Sequence, residues 1–583
     1  MNQESFFKRL VHSVLLTVCT LVVVLALIGG GVWLAVNKDD RIESGSWLVL
    51  DLYGDVHEYD PPGGPLGAVM NGDALTLQDL LDNLGKVAID DRIAGVILHI
   101  SSSNNTGFAK LQELRRAVDK VQAAGKPVHA WADALDMRSL WLAAGCDRVQ
   151  MPTGGYLTFK GASTQRMYLR GMLDKLGVVP HLHKIKDYKA AAEMIMDTHA
   201  SDAARENMQW LMDDVWATIM ADLARERGLD EARLLKHMEY AIFTPTEAVA
   251  AGLIDECIYL QDLEERLKKD KDERLRTVSH EQYAKTSWKD VGLKTGKTVA
   301  VVHAQGNIGG RENRVDPLMG IMMGHETIVR ELQRCRHDDD VKAVVFRIDS
   351  GGGESLASDL MAHEVDLLSA VKPVVISMVD VAGSGGYYIA YKGTKLMANP
   401  LTITGSIGSI NGLFNLKGFY DKIGVSKDGI AKGPMAEYGT DMRDPTPAEW
   451  ERHTEAHWLS FNEWLADVAR ERGLAFAAAE SLAHGRTWTG TQAVANGLID
   501  AVGNLDDAIA LAAKLADLDP GKAPKVVHLP AEQSLFASLL GSEAGAADPV
   551  ATAVRSALYR SLREQVRETG AFLQDGAANV VTP

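Results

Sequence analysis

The chain has 583 residues, too many for a single core, so two domains are expected. Its composition, 46% hydrophobic and 24% charged, is that of a globular protein. The net charge of −17 argues against a nucleic-acid partner, and four scattered cysteines with no C-x-x-C pair indicate neither a zinc site nor a disulfide framework.

The first element is an almost unbroken apolar run from Val14 to Val36. It holds roughly 23 residues, enough to cross ~30 Å of hydrocarbon as a helix. A cleavable signal has a shorter apolar core, and Gly29-Gly30-Gly31-Val32-Trp33 offers no clean cleavage site. Residues 1–40 therefore read as an uncleaved membrane anchor. Lys8 and Arg9 before the span balance Lys38 and Arg41 after it, so charge alone does not orient it. The short head favours an amino terminus inside, with the body of the chain outside the cytoplasm.

Beyond the anchor the chain is a duplication. Ala221-Asp222-Leu223-Ala224-Arg225-Glu226-Arg227-Gly228-Leu229 recurs as Ala466-Asp467-Val468-Ala469-Arg470-Glu471-Arg472-Gly473-Leu474. Ala248 to Asp255 recurs as Ala493 to Asp500 at the same offset. Val96–Ile100 matches Val344–Ile348, and Lys126-Pro127-Val128 matches Lys372-Pro373-Val374. The period is far longer than that of a solenoid, so two domains of one fold are expected, over residues 46–296 and 297–518. Each alternates short β-branched runs, such as Thr298–Val302, with amphipathic stretches, such as Ser355 to Ala370, which predicts α/β domains with largely parallel sheets. Glu264 to Lys294, rich in Lys, Asp and Glu, reads as a solvated connection. Residues 519–583 read as a peripheral tail, partly helical near Ala551 to Phe572 or disordered.

The chemistry concentrates in the second half. A β-branched run, Val374–Met378, leads through Val379-Asp380-Val381-Ala382 into Gly383-Ser384-Gly385-Gly386 and then a helix-compatible stretch. That order predicts strand, tight turn, helix, with Ser384 at a helix N-terminus where free N–H groups favour developing negative charge. A serine so placed is a candidate nucleophile. A second strand, Val344–Ile348, runs into Asp349-Ser350-Gly351-Gly352-Gly353-Glu354, a loop whose exposed amides suit an oxyanion. The first half has lost both features: aligning Asp133 with Asp380 puts Met137 opposite Ser384, and Ser102-Ser103-Asn104-Asn105 replaces the glycine loop. The base is left open by the residues themselves. His453 and His457 lie on a helix read as exposed, and a buried lysine of lowered pKa is the other option. Gly292-Leu293-Lys294-Thr295-Gly296-Lys297-Thr298 is one residue short of a P-loop and precedes a strand, so nucleotide binding is not expected.

Together Asp349-Ser350-Gly351-Gly352-Gly353, Ala382-Gly383-Ser384-Gly385-Gly386-Tyr387 and Thr404-Gly405-Ser406-Ile407-Gly408, in a duplicated and anchored chain, resemble the long form of the signal peptide peptidase A (protease IV) family. The resemblance covers about residues 46–518 and implies two tandem Clp-protease/crotonase-like domains acting through a Ser–Lys dyad. It implies Ser384 as nucleophile and Lys189, in Asp187-Tyr188-Lys189-Ala190-Ala191, as base supplied by the other half. It also implies Ser406 as the residue orienting that lysine, and Gly352 and Gly385 as oxyanion donors. The family's Ser-Pro-Gly-Gly loop is Ser350-Gly351-Gly352-Gly353 here, and losing the proline predicts a looser loop. No cofactor or metal is implied. The expected substrates are signal-peptide remnants, cleaved by a homo-oligomer, often a tetramer, on the outer face of the inner membrane. A crotonase-like acyl-CoA enzyme and an inactive membrane scaffold are the alternatives.

Overall fold

The computed structural model describes residues 42–531 apart from 55, 60–75, 102–104, 269–273 and 317. The predicted anchor and the run from Ala551 to Phe572 lie outside the described residues, as do Ser102, Ser103 and Asn104. No helix among the described residues is long and apolar enough to cross a membrane.

Two parallel sheets repeat one topology. The first runs in the order Thr277–Ser279, Ser46–Leu52, Ile93–Ile100, Val128–Ala132, Arg148–Met151, Glu256–Cys257. The second has the corresponding order Ala523–Leu529, Thr295–Gln305, Val341–Ser350, Val374–Gly383, Lys395–Ala398, Ala501–Val502. Near-continuous apolar runs make the central strands, because both faces of a parallel sheet are covered by helices. In the second sheet Val344, Phe346, Ile348, Ile376 and Met378 are fully buried on the face that packs against the helix Ser355–Ser369 and its neighbours. The opposite face, with Val345 and Val375, packs on the helix Leu505–Leu515.

The duplication extends to single hydrogen bonds. The Arg227 guanidinium donates to the Gly252 carbonyl at 3.0 Å and to the Asp255 carboxylate, while the Val149 N–H donates to Asp255 at 2.7 Å. In the second half Arg472 holds the Gly497 carbonyl at 3.2 Å and Asp500, which accepts from the Leu396 N–H at 2.8 Å. The repeated Arg-Gly-Leu and Gly-Leu-Ile-Asp segments are thus one arginine clamp made twice.

The repeat also explains two departures from the expected boundaries. Ala523–Leu529, placed by composition in the peripheral tail, is the parallel edge strand of the second sheet, beside Thr295–Gln305. It occupies the place Thr277–Ser279 holds beside Ser46–Leu52. The stretch read as a solvated connection therefore closes the first sheet, and buries His280 and Tyr283 in the process. In both cases the apolar signal is short and flanked by charge or proline, too brief to register in composition.

The halves are laced together rather than tethered. Val179–Lys184 of the first pairs antiparallel with Ile410–Asn415 of the second. Arg347 is fully buried between Glu58, at 2.6 Å, and Glu113, at 2.9 Å, both from the first half. It also donates to Ser377 Oγ, and Glu113 accepts in addition from the Asn399 amide and the Leu505 N–H. Removing one partner of a buried ion pair strands the other charge away from water. Arg347→Met is expected to destabilise the protein by about 3–5 kcal/mol, measured as a fall in the denaturant midpoint, with the double variant Arg347→Met/Glu58→Gln recovering part of the loss.

Candidate active site

The strand Val374–Gly383 ends at Ser384, and the helical turn Gly385–Tyr388 starts directly after it. Ser384 lies at φ 55° and ψ −118°, a conformation that costs a non-glycine residue free energy and persists only when its surroundings enforce it. Enforcement is visible. The Ser384 N–H donates to the Gly405 carbonyl at 2.9 Å, and the Ser384 carbonyl accepts from the Tyr388 N–H at 2.9 Å. The strict G-x-S-x-G sequence is missing, yet the strained strand-to-helix elbow is present.

The neighbouring strand Ile403–Gly405 pairs in parallel with this one, Ala382 opposite Thr404 and Gly383 opposite Gly405. Ser384 and Ser406 are therefore the next residues on adjacent strands, and Ser406 also has positive φ, 51°. A Cβ on Gly383 would lie 3.6 Å from the Ser406 Cβ. The two serines leave the sheet side by side.

Lys189 arrives from the first half. Its amine nitrogen donates to Ser406 Oγ at 2.9 Å and to the Ser406 carbonyl at 3.0 Å. The residue is 6% exposed, and among the described residues no carboxylate pairs with it. Burial without a counter-charge disfavours the ammonium, and Lys189 is pulled down to about 7. Adjacent Lys184 and Lys186 instead pair with Glu193 and Glu480. Of these three neighbouring lysines, only Lys189 has the environment of a base.

Residues that sequence reading missed hold Lys189 there. Gly485, at φ 87°, lies so close that a Cβ would collide with the Lys189 backbone nitrogen and Cα. The Arg486 guanidinium sits 4.1 Å from the Tyr188 ring centroid and donates to its hydroxyl at 2.9 Å. Trp210 of the first half stacks on Trp488 of the second at 5.1 Å, and its indole N–H donates to the Thr487 carbonyl. The Ser406 N–H donates to the Arg486 carbonyl, so one segment grips both Lys189 and its acceptor. The sequence carried a signal in Gly485-Arg486-Thr487-Trp488, a glycine before an Arg/aromatic cluster, but nothing in it named the partner.

The glycine loop follows the strand Val341–Ser350. Gly352 and Gly353 have φ of 98° and 155°, and a side chain at Gly353 would collide with the Ile308 carbonyl. Gly352 lies against Ser384 and the Gly385 nitrogen, so the loop faces the elbow. The Gly352 N–H, expected to be an oxyanion donor, is instead spent on Ser350 Oγ at 3.1 Å. Among the described residues the N–H groups of Gly353 and Gly385 have no acceptor. This Ser350 side chain, which sequence could not orient, is what distinguishes the Gly352 N–H from that of its neighbour Gly353. Losing the family's proline leaves the loop fastened rather than loose. Ser350 Oγ donates to the Gly306 carbonyl at 2.6 Å, the Gly352 carbonyl accepts from the Ile308 N–H, and the Glu354 N–H donates to the Ile308 carbonyl.

The histidines read as exposed are buried: His453 is 5% exposed and His457 6%. His457 is engaged by Ser409 Oγ at 2.5 Å and by His183 at 2.7 Å, not by Ser384, and burial lowers it to about 4. The helix Pro447–Glu471 reads as polar because its buried face includes histidine and tryptophan. In the first half, Asp136 occupies the N-cap position that Ser384 holds in the second, one residue before the aligned Met137. Its carboxylate accepts from the Ser139 N–H, as an ordinary helix cap does.

Comparison with known proteins identifies the family of the chain. The family model for peptidase family S49 matches residues 120–274 and again 366–519, once in each half. "Serine protease SPPA, chloroplastic" of Arabidopsis thaliana is 31% identical over 556 residues, covering 93% of this chain and 80% of that one. "Protease 4" of Salmonella typhi is 28% identical, covering 85% of this chain and 82% of the relative. "Protease 4" of Haemophilus influenzae is also 28% identical, covering 73% and 71%. A solved structure, a mutant of the 1510-N membrane-bound stomatin-specific protease, aligns over 41% of this chain and 100% of its own at 14% identity, with a TM-score of 0.26. The architecture therefore rests on the strand order above. Two family matches, together with relatives covered over most of their length, replace the acyl-CoA and scaffold alternatives: the chain belongs to peptidase family S49 and is a serine peptidase.

Proposed function

We propose that Ser384 and Lys189 form the catalytic dyad of this peptidase, with Ser406 orienting the lysine and the N–H groups of Gly353 and Gly385 receiving the oxyanion. The observation that carries the reading is the buried, carboxylate-free Lys189 amine on Ser406 Oγ, one residue beyond the glycine pair that also delivers Ser384. The neutral amine takes the Ser384 proton as Oγ attacks the peptide carbonyl. The tetrahedral oxyanion forms against the two unused amides. Lys189 then gives its proton to the leaving amine, and afterwards takes one from water to hydrolyse the acyl-enzyme. The same reading makes residues 46–296 the lysine-bearing domain, and residues 297–518 with the edge strand Ala523–Leu529 the serine-bearing one.

Substrates are proposed to be cleaved signal peptides, a reading supported by the name of one relative, "Putative signal peptide peptidase SppA" of Enterococcus faecium. An anchor over residues 1–40 would hold the body at the outer face of the inner membrane, as a homo-oligomer. Apolar remnants left in a bilayer would reach a site so placed.

Three outcomes test the assignment. Ser384→Ala and Lys189→Met should each lower kcat by about 10³-fold or more while leaving the fold intact, since removing either member of such a pair disables the unit. Equal turnover by either variant would overturn its role. Because Lys189 must be neutral and titrates at about 7, log kcat/KM should rise with unit slope below pH 7 and level off above it. A profile flat from about pH 5 to 9 would refute the lysine base. Gly353→Ala should cost about 10²–10³ in kcat as the oxyanion donor is displaced, whereas Gly351→Ala, whose Cβ meets open space, should retain activity.

A further inference from the structure

The two strands that deliver the reacting groups do not stay in register to their ends. Val341–Ser350 and Val374–Gly383 pair regularly up to Ile348 opposite Met378, and the next pair is Ser350 opposite Ala382. One residue, Asp349, therefore faces three, Val379, Asp380 and Val381. Such breaks bend the strand and remove ladder bonds, and they are common beside active sites. Here the break lies just ahead of both Gly352 and Ser384.

Side chains take over where the ladder stops. Asp349 Oδ1 accepts from the Val381 N–H at 3.2 Å, across the break. Asp349 Oδ2 pairs at 2.9 Å with the ammonium of Lys110, which lies 3.5 Å from Asp380 Oδ2 and donates to the Val56 carbonyl at 3.1 Å. Asp380 Oδ1 in turn accepts from the Ala109 and Lys110 N–H groups, at the start of the helix Phe108–Ala123. Gly107 leaves room for that carboxylate, which a Cβ would strike. Lys110 is 7% exposed and belongs to the half that has no nucleophile.

We propose that Lys110 is a positioning residue for peptide hydrolysis. Its ammonium ties Asp349 to Asp380 across the broken ladder, and so sets the spacing between the amides of the glycine loop and Ser384. The proposal rests on Ser384 being the nucleophile. Charge supports it. Burial alone would lower Lys110, but Asp349, Asp380 and Glu58 outweigh burial and hold it charged. Asp380 is raised to about 6, by burial and then by Asp349, and Lys110 opposes that rise; without the ammonium Asp380 would take up a proton near neutral pH and the charged tie between the two aspartates would be lost. Glu58 also faces the cluster; it and Glu113 pair with Arg347, while Glu58 Oε2 and Arg347 Nη2 have no hydrogen-bond partner among the described residues.

The test measures peptide turnover and the rate at which a fluorophosphonate acylates the serine, at a temperature where each variant is fully folded. Lys110→Met is expected to lower kcat and the labelling rate together by about 10²-fold, the cost of misplacing reacting groups by about 1 Å. KM should stay within about threefold and the rise of activity near pH 7 should not move, because Lys189 is untouched. Asp349→Asn, which keeps an acceptor for Val381, is expected to lose about tenfold in kcat, and adding Lys110→Met to it should cost far less than in the wild-type chain. A folded Lys110→Met protein with wild-type kcat, or losses that simply multiply in the double variant, would overturn the proposal. Should Lys110→Met not fold, wild-type turnover by Asp349→Asn would overturn it equally. If the probe labels a residue other than Ser384 in the unmutated protein, the nucleophile assignment fails. If it labels Ser384 at the same rate with and without Lys110, only the positioning role fails.

Discussion

An amine buried without a counter-charge is the constraint around which this molecule is built. Bringing Lys189 from the usual lysine range to about 7 costs the folded state roughly 5 kcal/mol below that pH, at about 1.4 kcal/mol for each tenfold change in proton affinity. The sign follows from proton counting. The unfolded chain binds the proton more tightly, so the penalty is full at low pH and fades as pH rises through the window between about 7 and the unfolded value. Nothing local offsets it, since the only partners among the described residues are the hydroxyl and carbonyl of Ser406. The rest of the protein must keep water and carboxylates away while keeping the amine in place. That work falls to the joint between the halves: the Val179–Lys184 ladder, the Ile185 to Ser409 bond, and the Arg486, Tyr188, Trp210 and Trp488 stack.

The duplicated half that lost its elbow and glycine loop is therefore not vestigial. It contributes two lysines whose surroundings drive them in opposite directions. Lys189 meets only neutral acceptors and becomes a weak acid near neutrality. Lys110 meets Asp349 and Asp380 and stays charged. Burial acts on both, so the difference comes from the partners. A duplicated fold makes this division easy, because two copies of one sheet bring equivalent strand ends towards a shared boundary. Each copy retains the Arg–Asp clamp, so the first half keeps this scaffold although its elbow and glycine loop are gone.

The residues that could be read from sequence were those whose chemistry is local. A serine among glycines after a β-branched run predicts an elbow because strand, turn and helix dipole lie within a few positions of each other. The repeat was legible because its arginine, glycine and aspartate recur at one spacing. Lys189 was not legible from its own neighbourhood, because what distinguishes it from Lys184 and Lys186 is the carboxylate each of those finds and it does not. His453 and His457 misled for the converse reason: polar side chains form part of the buried face of their helix, paired with Tyr438, His183 and Ser409 from elsewhere in the chain. The strand Ala523–Leu529 escaped because Val526, Val527 and Leu529, set between Pro524 and Pro530, carry little pattern until Thr295–Gln305 supplies the edge.

Ser384 and Ser406 both sit at positive φ, directly after Gly383 and Gly405, which pair with each other. Strain of this kind costs about 1–3 kcal/mol per residue and survives only where hydrogen bonds over-determine the backbone. Here the Ser384 N–H is tied to the Gly405 carbonyl and the Ser406 N–H to that of Arg486. Ser384 and Ser406 thus leave one hydrogen-bonded strand pair, whose ends hold them side by side. Lys189 is tied to that pair by two hydrogen bonds but reaches it from another domain. The proposed reaction centre accordingly has one joint, between the Lys189 segment and the sheet that carries Ser384 and Ser406. Gly485 lies at that joint, where a single added methyl group would strike the Lys189 backbone and displace the lysine from Ser406.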